Sequence, residues 1–153
     1  MKPSALLCVD DDPGIRQFYE ILLGNSGYEV LLAVDGRDAV KIFRSRKKTI
    51  DAVITDYEMP GMNGFELASE LKRSNPELPI LMVSGSAPNL EGESHPVDAS
   101  LPKGSSIHAL VEQVEQLLAR HQLPPPSFSR FVPLGSALAG IAMAGFLIPK
   151  LWK

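Results

Sequence analysis

Three carboxylates stand where apolar runs stop: Asp10 and Asp11 directly follow Ala5-Leu6-Leu7-Cys8-Val9, and Asp56 directly follows Ala52-Val53-Ile54-Thr55. Two further runs, Ile80-Leu81-Met82-Val83 and the short stretch from Val97 to Leu101, end at Ser84 and close to Lys103. If all four runs are parallel strands of one sheet, three acids, a hydroxyl and an ammonium converge at the sheet's carboxyl edge, where open α/β sheets bind ligands. An acid cluster of this kind suits a hard divalent cation, and Mg²⁺, which takes only a few protein oxygens, fits it. A lysine and a serine facing the third acid imply a second anion to be held, most economically a phosphoryl group on Asp56.

The elements that must position these residues follow from pattern. Short apolar runs alternate with helical patterns, the signature of βαβ units. Asp12-Pro13 opens a first helix as N-cap and first-turn proline, with Ile15, Phe18 and Leu22 on one face and Gly27 at its end. Tyr28 to Val34 reads as a second strand, and Asp38 to Arg46 as a second helix burying Ala39, Ile42 and Phe43. Arg44 to Lys48 form its solvated basic end, favourable at a helix C-terminus. Asn63 caps a third helix through Phe65, Leu67 and Leu71 that Pro76 closes, and Ile107, Leu110, Val111, Val114, Leu117 and Leu118 mark an amphipathic last helix.

Composition excludes several classes. A net charge of −3 without a basic, aromatic-laced patch argues against direct nucleic-acid binding. The single cysteine, Cys8, lies inside an apolar run and reads as a core thiol. Only five apolar residues precede the first acids, so no secretory signal peptide is expected. His95, His108 and His121 are scattered and near no acid cluster in sequence. No Gly-x-Gly-x-x-Gly follows the first strand, which disfavours dinucleotide binding.

From about Ala5 to His121 the chain resembles the receiver domains of two-component response regulators. The resemblance rests on Ile54-Thr55-Asp56-Tyr57-Glu58-Met59-Pro60-Gly61-Met62-Asn63-Gly64, close to the family's phospho-acceptor signature, and on Cys8-Val9-Asp10-Asp11-Asp12 as its acid pair. It implies a flavodoxin-like, doubly wound, five-stranded parallel sheet of order 2-1-3-4-5. It also implies roles: Asp56 as phospho-acceptor, Asp10, Asp11, Asp56 and the Glu58 backbone carbonyl as Mg²⁺ ligands, and Lys103 and Ser84 as partners of the phosphoryl oxygens. A histidine kinase or phosphotransfer protein would be the phosphoryl donor, and a signalling module is expected, with no enzyme activity beyond its own phosphotransfer and autodephosphorylation.

The chain departs from the family at three places. Gly85, Pro88, Gly92 and Pro96 occupy the segment of the family's fourth helix, which is therefore expected to be short, irregular or absent. Ser100 stands where many receivers carry an aromatic residue that turns inward on phosphorylation. Gly104 follows the lysine where the family usually has proline.

At 153 residues the chain exceeds a receiver of roughly 120, and no DNA-binding output domain is expected in what remains. The expected organisation is a receiver over 1–122, a proline-rich linker over 123–130, a transmembrane helix over 131–149 and a short tail over 150–153. Pro124-Pro125-Pro126 makes the linker stiff. Phe131 to Pro149 holds nineteen residues without a charge, roughly 28 Å as a helix and near the thickness of a bilayer core. Gly135, Ala139, Gly140, Ala144 and Gly145 are ordinary in bilayers and would permit self-association through a small-residue face. The protein is thus expected at the inner membrane, single-pass, with its receiver in the cytoplasm.

Two other readings compete. Phosphatases of the haloacid dehalogenase type also use a strand-end aspartate, Mg²⁺, a serine or threonine and a lysine, with a second acid two residues on, as Glu58 follows Asp56. The Met59-Pro60-Gly61 turn and the early Asp10-Asp11 pair fit a receiver better. A membrane-tethered scaffold that is never phosphorylated is the third reading, and the intact acids, serine and lysine argue against it.

Overall fold

In a computed structural model, residues 2–46, 48–86 and 94–122 are described. They form, in chain order, β1 (Ala5–Val9), α1 (Pro13–Asn25), β2 (Glu29–Ala33), α2 (Gly36–Arg46), β3 (Ala52–Asp56), α3 (Gly64–Ser74), β4 (Ile80–Ser84), β5 (Ala99–Pro102) and α4 (Ile107–Gln122). All neighbouring strands pair in parallel, in the order β2-β1-β3-β4-β5. This is the flavodoxin-like order that the resemblance to receiver domains implies.

β1, β3 and β4 are buried along their whole length, which is why they read as unbroken apolar runs: a parallel strand covered on both faces has no solvent side. Successive side chains still alternate between two cores. Leu7, Val9, Val53 and Met82 pack with Ala39 and Phe43 of α2 and with Leu67 and Leu71 of α3. Leu6, Cys8, Ile54 and Leu81 pack on the opposite face with Tyr19 and Leu23 of α1 and with Leu110, Val114 and Leu117 of α4. Each fully buried leucine, isoleucine or phenylalanine contributes about 1.5–3 kcal/mol of transfer free energy.

Helix ends follow local chemistry. The Asp12 carboxylate caps α1, accepting from the amides of Gly14 at 2.7 Å and Ile15 at 3.3 Å, with Pro13 in the first turn. Asn63 and Glu66 close a reciprocal capping box on α3. That helix stops at Asn75, whose extended backbone is what a following proline demands. α2 begins at Gly36, before the expected Asp38, because Asp35 is the residue that caps it: the Asp38 amide donates to Asp35 Oδ1 at 2.8 Å, and the Asp38 carboxylate accepts from the Val34 amide at 3.0 Å. The basic end of α2 is more engaged than expected, with Arg44 paired to Glu70 and Arg46 to Glu29. Exposed pairs of this kind stabilise little.

β5 starts at Ala99, two residues later than expected. Asp98 is diverted to cap the neighbouring strand, its carboxylate accepting from the Ile80 amide at 2.8 Å and pairing with Lys72. Between β4 and β5, Gly85, Ser86 and 94–98 are described and none is helical. The rest of the segment expected to lack a regular helix, 87–93, lies outside the described residues. Among the described residues no helix is long and apolar enough to cross a membrane. The expected linker and transmembrane segment, 123–149, and the tail 150–153 lie outside them.

Candidate functional site at the carboxyl edge of the sheet

The sheet order places β1 and β3 side by side, so their last residues are neighbours at the carboxyl edge. Asp10, Asp11 and Asp56 each offer a carboxylate oxygen there, all within 4.8 Å of one another. Asp10 and Asp56 are 1% and 4% exposed, whereas Asp11 faces solvent. Lys103, carried on the turn after β5, reaches back across β4. Its Nζ donates to Asp56 Oδ2 at 2.9 Å and lies 3.3 Å from Asp10 Oδ2.

Asp10 is held on two sides. The Asp12 amide donates to its Oδ1 at 2.9 Å, and Arg16 Nη1 donates to its backbone carbonyl at 2.7 Å. Its Oδ2 is buried and has no aligned hydrogen-bond donor, since Lys103 approaches within ion-pair distance without hydrogen-bond alignment. Burial pushes the Asp10 carboxyl above its ordinary range; the Asp12 amide and the Lys103 charge pull it down without cancelling that effect, and the Asp56 charge adds to it. Burial alone would lower the Lys103 ammonium, but its hydrogen bond to Asp56 and the charges of Asp10 and Asp56 outweigh that and hold it above its usual value.

Glu58 donates its amide to Asp56 Oδ1 over a long 3.4 Å, while its side chain turns away to accept from the Ser86 hydroxyl. Ser84 is 3% exposed at the end of β4, and its hydroxyl donates to the Ser86 carbonyl at 2.8 Å. The structure thus gathers Asp10, Asp11, Asp56 and Lys103 into one cluster, with Ser84 and Glu58 beside it and joined through Ser86. Sequence reasoning missed Ser86, Arg16 and the role of Gly64. A Cβ on Gly64 would lie 2.3 Å from the Asp56 carbonyl oxygen, so only glycine lets α3 start so close to the end of β3. Its presence in the phospho-acceptor-like stretch was the one available signal. Gly104 adopts a φ of +90°, which a proline ring forbids, so the turn after Lys103 is built differently from one with proline there. Ser100 is exposed on β5, the edge strand.

The family model for the response regulator receiver domain matches residues 6–115. The chain belongs to that family. This receiver domain is 33% identical over 121 residues to the response regulator MprA of Mycolicibacterium vanbaalenii, a match covering 77% of this chain and 52% of that protein. The receiver spans about half the length of that relative. Among solved structures it is similar to the response regulator TrrA of Thermotoga maritima, determined in complex with Mg²⁺ and BeF: 32% identity, a TM-score of 0.69, and coverage of 74% of this chain and 98% of that one. It is also similar to the receiver domain of the hybrid histidine kinase CckA, at 35% identity and a TM-score of 0.65, covering 75% of this chain and 99% of that one. Neither the phosphatase reading nor the unphosphorylated scaffold is favoured by these relationships.

Proposed function

We propose that Asp56 of this receiver accepts a phosphoryl group from a histidine kinase or phosphotransfer protein. The observation that supports it most is the Lys103 ammonium set between the Asp56 and Asp10 carboxylates. In the transfer, an Asp56 carboxylate oxygen forms a bond to phosphorus as the bond from phosphorus to the donor's imidazole nitrogen breaks, and that nitrogen recovers a proton. Phosphoryl transfer depends mainly on positioning and charge neutralisation. Lys103 neutralises Asp56 before transfer and a phosphoryl oxygen after it, and the Ser84 hydroxyl donates to another.

The acids fit a divalent cation: three carboxylates lie within 4.8 Å, and one buried oxygen of Asp10 lacks an aligned donor. Asp10, Asp11 and Asp56 would hold Mg²⁺, with the Glu58 backbone carbonyl as a further ligand. When bound, it supplies positive charge against the carboxylates and the phosphoryl oxygens. The protein acts on no separate substrate; its chemistry is its own phosphorylation and autodephosphorylation.

The apolar segment 131–149 tethers the receiver to the inner membrane. This part of the reading rests on the nineteen uncharged residues, the small-residue content, and Lys150 and Trp152 as interfacial anchors. Arg120 and Arg130 are balanced by Lys150 and Lys153, so charge does not orient the segment. The need to meet a kinase puts the receiver in the cytoplasm.

Incubation with acetyl phosphate and Mg²⁺, followed by intact-mass measurement, tests the acceptor. The native chain should gain one phosphoryl group and Asp56→Asn none. A native chain that gains nothing, or an undiminished adduct on the variant, removes Asp56 from the role.

A further inference from the structure

We propose that the outer face of α2 docks on anionic lipid headgroups and holds the receiver against the membrane; this rests on the reading of 131–149 as a tether. Arg37, Lys41, Arg44 and Lys48 recur at intervals of four, three and four residues, the spacing of one helical face carried into the turn beyond Arg46, and all four are exposed. Among the described residues only Arg44 of the four has an ion-pair partner, Glu70 at 3.3 Å, and Glu70 also holds Arg73. Within α2 the single acid, Asp38, is turned toward the Val34 amide. Neighbouring acids are engaged as well: Glu66 accepts from the Asn63 amide, Asp51 from the Ala5 amide, and Glu29 pairs with Arg46.

Fold stability does not account for the stripe. Cations are favourable in the last turn of a helix, which explains Arg44 and Arg46, but Arg37 sits in the first turn, where the helix dipole disfavours positive charge. A polyanionic surface accounts for all four. The one aromatic residue of α2, Phe43, is buried and offers no platform for a base to stack on, so lipid fits better than nucleic acid. The chain also brings a bilayer to this face. Leu118, His121 and Gln122 of the last turn of α4 line one depression with Ile50 and Asp51, which closely follow Lys48. The chain therefore leaves the receiver beside the basic end of α2, and residues 123–130 span about 25 Å as an extended, proline-rich segment. The acid cluster lies at strand ends and on the turn after β5, none of it on α2, so docking leaves Asp56 open to a phosphoryl donor.

The test is energy transfer to a headgroup-labelled lipid from the full chain, reconstituted in vesicles of phosphatidylcholine or of an equal mixture of phosphatidylcholine and phosphatidylglycerol. Cys8 is buried, so a dye goes to Ser45→Cys on the exposed side of α2 or, as control, to Gln116→Cys on α4 across the sheet. Transfer from position 45 should rise on the mixed vesicles above its value on neutral ones and above that from position 116. Salt at about 1 M, where charges are screened within about 3 Å, should erase the rise. Arg37→Gln, Lys41→Gln and Lys48→Gln together should lower the docked-to-free ratio about a hundred-fold, at roughly five-fold per residue. The charge-keeping set Arg37→Lys, Lys41→Arg and Lys48→Arg should retain it. Equal transfer on both lipids, or a rise that survives the three Gln substitutions, overturns the docking; a stripe that serves nucleic acid or an acidic protein gives the first of these results. Flotation of the same samples separates the tether from the docking. A chain that floats with mixed but not neutral vesicles, and no longer floats with the three Gln substitutions, overturns the tether and keeps the docking, whereas one that floats with neither overturns both.

Discussion

At the scale of single residues, Asp10 is where folding and function pull in opposite directions. Burial leaves one of its oxygens without an aligned donor and raises its pKa. A carboxyl raised in the folded state binds more protons folded than unfolded just above the ordinary carboxylate range. Stability therefore falls as pH rises through that window, and the deficit persists to neutral pH. Asp10→Asn should raise the melting temperature of the chelator-treated protein at about pH 7, with a gain that shrinks as pH falls and the native carboxyl takes up its proton. Thermal melts of both proteins as pH falls check it, and a gain independent of pH would point to packing instead. A cation bound only by the folded state offsets the deficit. At a hundred times its dissociation constant Mg²⁺ should add about 2.7 kcal/mol to the native protein. Asp11→Ala, which removes the exposed carboxylate of the cluster, should abolish that response. A Mg²⁺-induced rise in melting temperature that survives the substitution would locate the ion elsewhere.

At the scale of elements, the junction of β3 with α3 carries the tightest packing constraint at the site. The Gly64 amide donates to the Tyr57 carbonyl at 2.9 Å, closing the turn that follows Asp56. A methyl group at Gly64 would meet the Asp56 carbonyl at 2.3 Å, and Met82 Cε and Tyr57 Cα at 3.0 Å. Two of those three atoms are backbone and cannot swing aside. Gly64→Ala should therefore destabilise by about 1–3 kcal/mol, the range for overpacking a well-filled site. It should also lower the yield of acetyl phosphate adduct more than it lowers stability, because the displaced atoms belong to Asp56, the proposed acceptor, and its neighbour Tyr57. Urea denaturation and intact-mass measurement on one preparation separate the two effects. Adduct yield that tracks folded fraction alone would deny the junction any part in positioning Asp56.

At the scale of the whole molecule, both faces of the sheet are covered within the described residues, by α2 and α3 on one side and α1 and α4 on the other. All four of those helices end by Gln122. Deleting 123–153 should leave the thermal unfolding of the receiver within about 2–4 °C of the full chain, a change on the order of 1 kcal/mol or less. The full chain should resist carbonate extraction from membranes and the truncated one should not. Cys8 is fully buried and burial pushes its thiol up, so it should not react with thiol reagents in the folded protein. A cysteine placed after Lys153 can then be labelled selectively, and labelling from outside the cell checks the crossing. Carbonate-soluble full-length protein would remove the anchor, and a cysteine protected from outside reagent would remove the crossing.

Much of the site was legible because of how a parallel sheet must be written. A strand covered on both faces has to be an apolar run, and the first polar residue after it stands at the sheet's edge. Asp10, Asp11, Asp56 and Ser84 could therefore be picked out one by one, and the caps Asp12 and Asn63 with them, since caps are local chemistry; Lys103, after the half-exposed edge strand β5, rested on its place after the last strand and on the resemblance. What lies between loops could not be read this way. The start of α2 depended on which of Asp35 and Asp38 turned toward which amide. The closeness of Gly64 to Asp56, the hold of Arg16 on the Asp10 carbonyl, and the chain of hydrogen bonds from Ser84 through Ser86 to Glu58 depend on the paths of turns after different strands. The sequence by itself determined which residues reach the carboxyl edge, because strand periodicity and burial are one-dimensional rules. Only the tertiary structure decided which of them touch, because that is set by strand register and turn path, where a shift of a few ångströms makes or breaks a hydrogen bond.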